Sequence, residues 1–116
     1  MNITIKAENY HLSGGIRSMI YEKIGSLTKF LTRSDSALVA VRLGHKDKHQ
    51  SGNTFFVQAN VDTGDKLYRA TATAETMPGA IDQVEAELAT ELSRAKDKER
   101  SLMRRTGHAM KSLFGG

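Results

Sequence analysis

The sequence, 116 residues long, predicts an α+β domain in the order β-α-β-β-β-α: a four-stranded mixed sheet with two helices packed on one face. Three observations predict it. Two long segments repeat their apolar residues at the 3.6-residue period of an amphipathic helix, and four short ones alternate at the period of two that marks a half-buried strand. Three of the four strand segments lie between the two helical ones, joined by short polar stretches. A helical crossover makes the first two strands parallel, and hairpin connections make the remaining pairs antiparallel. A chain of this length supports one core and one domain.

The first strand is expected at 2–7, where Ile3, Ile5 and Ala7 alternate with Thr4 and Lys6. The first helix follows in "LSGGIRSMIYEKIGSLTKFL", with Ser13 as its N-cap. Its apolar positions Ile16, Met19, Ile20, Ile24, Leu27, Phe30 and Leu31 project into an arc of roughly 140°, the width of a core-facing stripe. Arg17, Lys29 and Arg33 fall outside that arc, but Lys23 falls inside it, between Phe30 and Ile16. A lysine there either snorkels to the rim with its stem buried or presents its charge in the groove between the helices. The two readings are compatible.

After the turn-rich "RSDS", the segment 37–45 sets Val39, Val41 and Leu43 against Arg42. The polar loop "KDKHQSGN" leads to 54–62, where Phe55, Val57, Ala59 and Val61 oppose Phe56, Gln58 and Asn60. "DTGD" is a short hairpin turn into 67–74, where Tyr68, Ala70, Ala72 and Ala74 oppose Arg69, Thr71 and Thr73. With one sheet face apolar and the other polar, both helices belong on the same face. The small alanines of the last strand let a helix come close.

The second helix is expected to start near "ETMPG", capped by Thr76 with Pro78 in its first turn. Ile81, Val84, Leu88, Leu92 and Ala95 form its stripe. Glu99 falls on the line of Ile81 and Leu92, where a buried unpaired carboxylate has no place, so the helix is expected to have left the body of the domain by then. Gly107 is the expected terminator, which divides the chain into a domain at 1–106 and a short flexible C-terminal tail at 107–116 carrying Met110, Leu113 and Phe114.

Charge is where the sequence begins to speak of function. The formal net charge is +4, yet ten basic and eleven acidic residues precede Ser93, whereas seven basic and two acidic residues follow Leu92. The positive excess is therefore confined to the end of the last helix and beyond. Lys96, Arg100 and Arg104 line one flank of that helix, and Arg94, Lys98 and Arg105 the other. Asp82, Glu85, Glu87 and Glu91 fill its first half, an order that the helix dipole favours and that a solvated helix end would also show. The functional reading is an anionic partner, with the cations displacing counterions from a nucleic-acid backbone. The spacing specifies neither DNA nor RNA.

Other chemistry is thinly represented. There is no Cys, which removes disulfides, thiolate metal sites and cysteine nucleophiles and fits a reducing compartment. No apolar run approaches a membrane span and "MNITIKAENY" is unlike a secretory signal, so a cytoplasmic address without membrane contact is expected. His45 and His49 in "HKDKH" are a candidate metal pair, but without further ligands a solvent-exposed loop is the simpler account. No nucleophile motif is recognisable, and neither Gly14-Gly15 nor Gly115-Gly116 makes a phosphate loop. No cofactor, metal, small-molecule substrate or enzymatic activity is expected.

Two stretches resemble the ribosome hibernation-promoting factor family, which includes the ribosome-associated inhibitor proteins. "MNITIKAENYHLSGGIRSMIYEKIGSLTKF" is similar to the family's first strand and helix through the "MNIT" start, Ile16-Arg17, Lys23, Leu27 and the Lys29-aromatic pair. "AETMPGAIDQVEAELATELSRAKDK" is similar to its second helix through Met77, Ala80-Ile81-Asp82, Leu88 and the basic run after Leu92. The resemblance spans residues 1 to about 105. It implies a fold like a double-stranded-RNA-binding domain with an extra first strand, bound to the small ribosomal subunit and its rRNA in the channel of mRNA and tRNA anticodon arms. It also implies action by occlusion, without chemistry, on idle ribosomes. By position it implies RNA contacts at Lys23 and Lys29, at Arg94, Lys96, Lys98 and Arg100, and at Arg17, with Arg104 and Arg105 at its edge. A structured-RNA-binding domain not specific to the ribosome is the alternative. Pro78-Gly79 stands where the family usually has an aromatic residue followed by alanine, and the chain resembles a short form without the second domain of long members.

Overall fold

The computed structural model describes residues 1–31, 36–46 and 54–113, with side chains as far as Lys98. Its elements are β1 (Asn2–Glu8), α1 (Gly14–Gly25), a 3-10 turn (Ser26–Phe30), β2 (Leu38–His45), β3 (Phe55–Asp62), β4 (Leu67–Ala74) and α2 (Met77–Leu113). The strands lie in the order β1-β2-β3-β4, with β1 parallel to β2 and the other pairs antiparallel. This is the expected mixed four-stranded sheet with its two helices. The loop 47–53 and residues 32–35 lie outside the described residues.

Alternation decides which face the helices cover. Val39, Val41 and Leu43 of β2, Val57, Ala59 and Val61 of β3, and Ala70 and Ala74 of β4 are buried in one core with Ile20, Ile24 and Leu27 and with Met77, Ala80, Ile81, Val84, Leu88 and Leu92. The other face stays open and polar. There Arg42 Nε lies 2.9 Å from Glu8 Oε1, and the Arg42 guanidinium sits 5.5 Å from the Phe56 ring centroid. At the end of the parallel pair Gly44 stands opposite Glu8. A Cβ at Gly44 would collide with the Glu8 carbonyl oxygen and come within 3.0 Å of Phe56, so this close strand approach requires glycine.

The first helical segment departs from expectation. α1 is capped as anticipated, with Ser13 Oγ accepting from the Ile16 N–H at 3.2 Å. Instead of one helix to Leu31, however, it stops at Gly25 and tightens into the 3-10 turn. Glycine loses the most backbone entropy in a helix, and the Ser26 hydroxyl donates to the Lys23 carbonyl at 2.7 Å in competition with the regular ladder. Leu27 nevertheless remains buried, while Phe30 and Leu31 pack half-buried at the margin.

α2 begins without disruption at Pro78-Gly79. Thr76 Oγ1 accepts from the Gly79 N–H at 3.1 Å and the Thr76 carbonyl accepts from the Ala80 N–H at 3.2 Å, while Pro78 occupies a first-turn position whose N–H would be unpaired anyway. A Cβ at Gly79 would stand 2.9 Å from that Thr76 oxygen, so glycine at this position makes room for the cap. At the other end α2 runs through Gly107 to Leu113, correcting the expected stop. A glycine inside a helix costs about 1 kcal/mol relative to alanine, which does not by itself end the ladder. None of the described helices is long and apolar enough to cross a membrane.

Candidate nucleic-acid interface

Among the described side chains Leu92 is the last buried one on α2; Ala95 is half-buried and Arg94, Asp97 and Lys98 are exposed. Of the cations expected on the two flanks of α2, the described ones are Arg94, Lys96 and Lys98, and the two flanks differ in what they face. One meets α1 and the 3-10 turn; the other meets the outer strand β4.

On the α1 flank Lys23 and Lys96 are engaged by the protein itself. Lys23 Nζ lies 2.6 Å from Asp82 Oδ1 of α2, with the two side chains 37% and 55% exposed. Lys23 thus presents its charge in the groove between the helices, where a carboxylate meets it. The hydrogen bond and charge of Asp82, aided by Glu85 and Glu22, raise the Lys23 ammonium above its ordinary pKa of 10.5 against a smaller opposing effect of burial. A raised ammonium contributes stability that is complete below 10.5 and is lost as pH climbs through the folded-state value. The difference in urea midpoint between the wild type and Lys23→Met is accordingly expected to be constant from neutral pH up to the alkaline range and to shrink above pH 10.5. A difference that stays flat there defeats this account of the pair.

Lys96 is half-buried, and its Nζ donates to the Lys29 carbonyl oxygen at 2.7 Å, tying α2 to the last turn of the 3-10 segment. A lysine on a terminal carbonyl suits the local dipole. Lys29 itself is exposed, its Nζ 5.2 Å from the Phe30 ring centroid. Arg17 is exposed near the start of α1, the opposite end from the 3-10 turn, and is not gathered with Lys29 and Lys96.

On the β4 flank Arg94 and Lys98 share a cleft with Lys66, Tyr68, Arg69 and Glu91. Lys66 and Tyr68 are not expected at a binding surface from the sequence, where Lys66 merely follows the "DTGD" turn and Tyr68 belongs to the apolar set of the strand. Lys66 does share the parity of Tyr68 and Ala70, a sign that it points to the helical side of β4. That Arg94 would lie across from it depends on which strand α2 covers, which no local pattern reveals. The side chains of Arg100, Arg104 and Arg105 lie outside the described residues, though all three are on α2.

His45 packs edge-on against Phe55, with centroids 4.7 Å apart, and His49 lies outside the described residues. Among the described residues no group of His, Cys, Asp and Glu is arranged to hold a metal ion.

Residues 3–100 match the sequence profile of the family described as Sigma 54 modulation protein / S30EA ribosomal protein. That span includes Arg17, Lys23, Lys29, Arg94, Lys96, Lys98 and Arg100 and stops short of Arg104 and Arg105. No curated protein matches the chain. Among solved structures it is similar to the N-terminal domain of Thermus thermophilus Protein Y, at 22% identity and a TM-score of 0.70, covering 81% of this chain and 98% of that one. It is similar also to a ribosomal subunit interface protein from Coxiella burnetii, at 20% identity and a TM-score of 0.66, covering 84% of this chain and 99% of that one. At such identities the likeness is one of fold: the same sheet and paired helices.

Proposed function

Because the chain belongs to the Sigma 54 modulation protein / S30EA ribosomal protein family, we propose that it is a ribosome-associated hibernation factor of the cytoplasm. It binds the small subunit in the channel of mRNA and tRNA anticodon arms and blocks translation by occupying that space. The observation that carries this reading is the family match over 3–100, which spans the whole sheet, α1 and the packed part of α2. The exposed cations Lys29, Arg94 and Lys98 support it physically, since ammonium and guanidinium groups on a rigid helix can replace counterions along rRNA. Occlusion needs no cofactor and no bond-making step, only enough phosphate contacts to hold a rigid body in place.

Sedimentation through sucrose gradients at increasing salt tests this. The protein is expected to migrate with small subunits at low salt and to be released as salt rises, log K falling by about 0.7–0.9 per phosphate contact for each tenfold increase. Absence from the subunit peak at low salt sinks the reading. Equal affinity for free duplex RNA assigns the protein instead to structured RNA in general.

A further inference from the structure

Resting on that ribosomal reading, we infer that the cleft between the outer edge of β4 and α2 is a phosphate-binding strip, in which Lys66 joins Arg94 and Lys98 in holding an rRNA backbone. The sheet ends at β4, and α2 lies over β3 and β4, so a furrow open to solvent runs between strand edge and helix. Four cations, Lys66, Arg69, Arg94 and Lys98, line it against a single carboxylate, that of Glu91. Among the described residues none of the four takes part in an ion pair, although Arg69 Nε donates to Asn60 Oδ1 at 2.9 Å. On the α1 flank, by contrast, Lys23 is matched by Asp82 and Lys96 by the Lys29 carbonyl. Lys29 apart, the uncommitted charge of the described interface is thus concentrated on the β4 side.

Lys66 is also held in place. Its N–H donates to Thr63 Oγ1 at 3.2 Å, and its carbonyl accepts from the Thr63 N–H at 3.0 Å and from the Thr63 hydroxyl at 3.1 Å. Its Nζ stands 5.1 Å from the centroid of the half-buried Tyr68 ring. An ammonium fixed at its backbone and resting on an aromatic face loses little freedom on meeting a phosphate, so more of the contact appears as affinity. The anion that fits several cations along an open furrow is a nucleic-acid backbone, whose successive phosphates can meet more than one of them.

Lys6 supplies the control. It carries the same charge and is exposed on β1, the opposite edge strand of the sheet, away from the cleft. Lys66→Gln and Lys6→Gln are both compared with the wild type for melting temperature and for small-subunit affinity as a function of salt. At about 0.1 M salt Lys66→Gln is expected to bind about 5- to 8-fold more weakly, with a salt slope shallower by about 0.7–0.9, and Lys6→Gln to match the wild type in both. Three results overturn the strip: Lys66→Gln binding like the wild type, Lys6→Gln weakening as much, or Lys66→Gln losing affinity for polyglutamate but not for subunits. A wild type that fails to bind subunits at all overturns the ribosomal reading itself, and is told apart by that.

Discussion

Replacing Arg94, Lys98 and Arg100 together by alanine is expected to weaken binding to small ribosomal subunits by about 100- to 500-fold at about 0.1 M salt. Each phosphate-binding cation removed takes about 0.7–0.9 off the salt slope, and three of them compound over the decade between 0.1 M and the roughly 1 M at which the ionic contribution fades. Alanine is the best helix former, and exposed substitutions usually stay within about 0.5 kcal/mol, so the melting transition should scarcely move. Lys96 is kept in this variant. Its bond to the Lys29 carbonyl braces α2 against the 3-10 turn, so replacing it would mix a structural effect with an electrostatic one. Co-sedimentation of the triple variant with subunits at undiminished affinity would remove α2 from the binding surface.

A second large effect is expected in stability. Leu88 is fully buried midway along the packed half of α2, between Val84 and Leu92, in the core shared by sheet and helices. Leu88→Ala removes its transfer energy and leaves a cavity, at a cost of about 3 kcal/mol. For a domain of this size that lowers the melting temperature by about 12 °C, at roughly 4 °C per kcal/mol. Calorimetry of the purified variant checks it, and a shift of only a degree or two would mean that α2 is not docked through this residue. The two variants separate cleanly: one is expected to lose binding with its fold intact, the other to lose stability while whatever remains folded still binds.

Periodicity made most of the fold legible. A strand with one wet face must alternate, and a helix over a core must repeat every third or fourth residue, so β4 fell at 67–74 and the neighbouring strands within a residue of their observed ends. What escaped were local competitions that leave the apolar stripe unchanged: the tightening at Gly25-Ser26 and the passage through Gly107. The candidate surface was only half legible. Helical projection assigned Lys96 and Arg94 to opposite flanks, yet the acceptor of Lys96 is a backbone oxygen on another element, which no side-chain pattern encodes. Lys23 looked misplaced because its partner, Asp82, sits 59 positions away on the other helix. The proposal that these cations serve RNA came from family resemblance alone.

The length of α2 adds a mechanical property to the electrostatic one. Twenty-one residues of helix follow Leu92, an overhang of about 31 Å beyond the last described buried side chain, in a molecule 68 Å long but only 26 and 18 Å across. Such a helix is a cantilever, clamped in the core and stayed near its root by the Lys96 bond. A tilt of about 10° at the clamp would displace its tip by about 5 Å, comparable to one helical pitch. How firmly the far end can press on anything is therefore governed at the root, by Leu88, Leu92 and one lysine on a carbonyl.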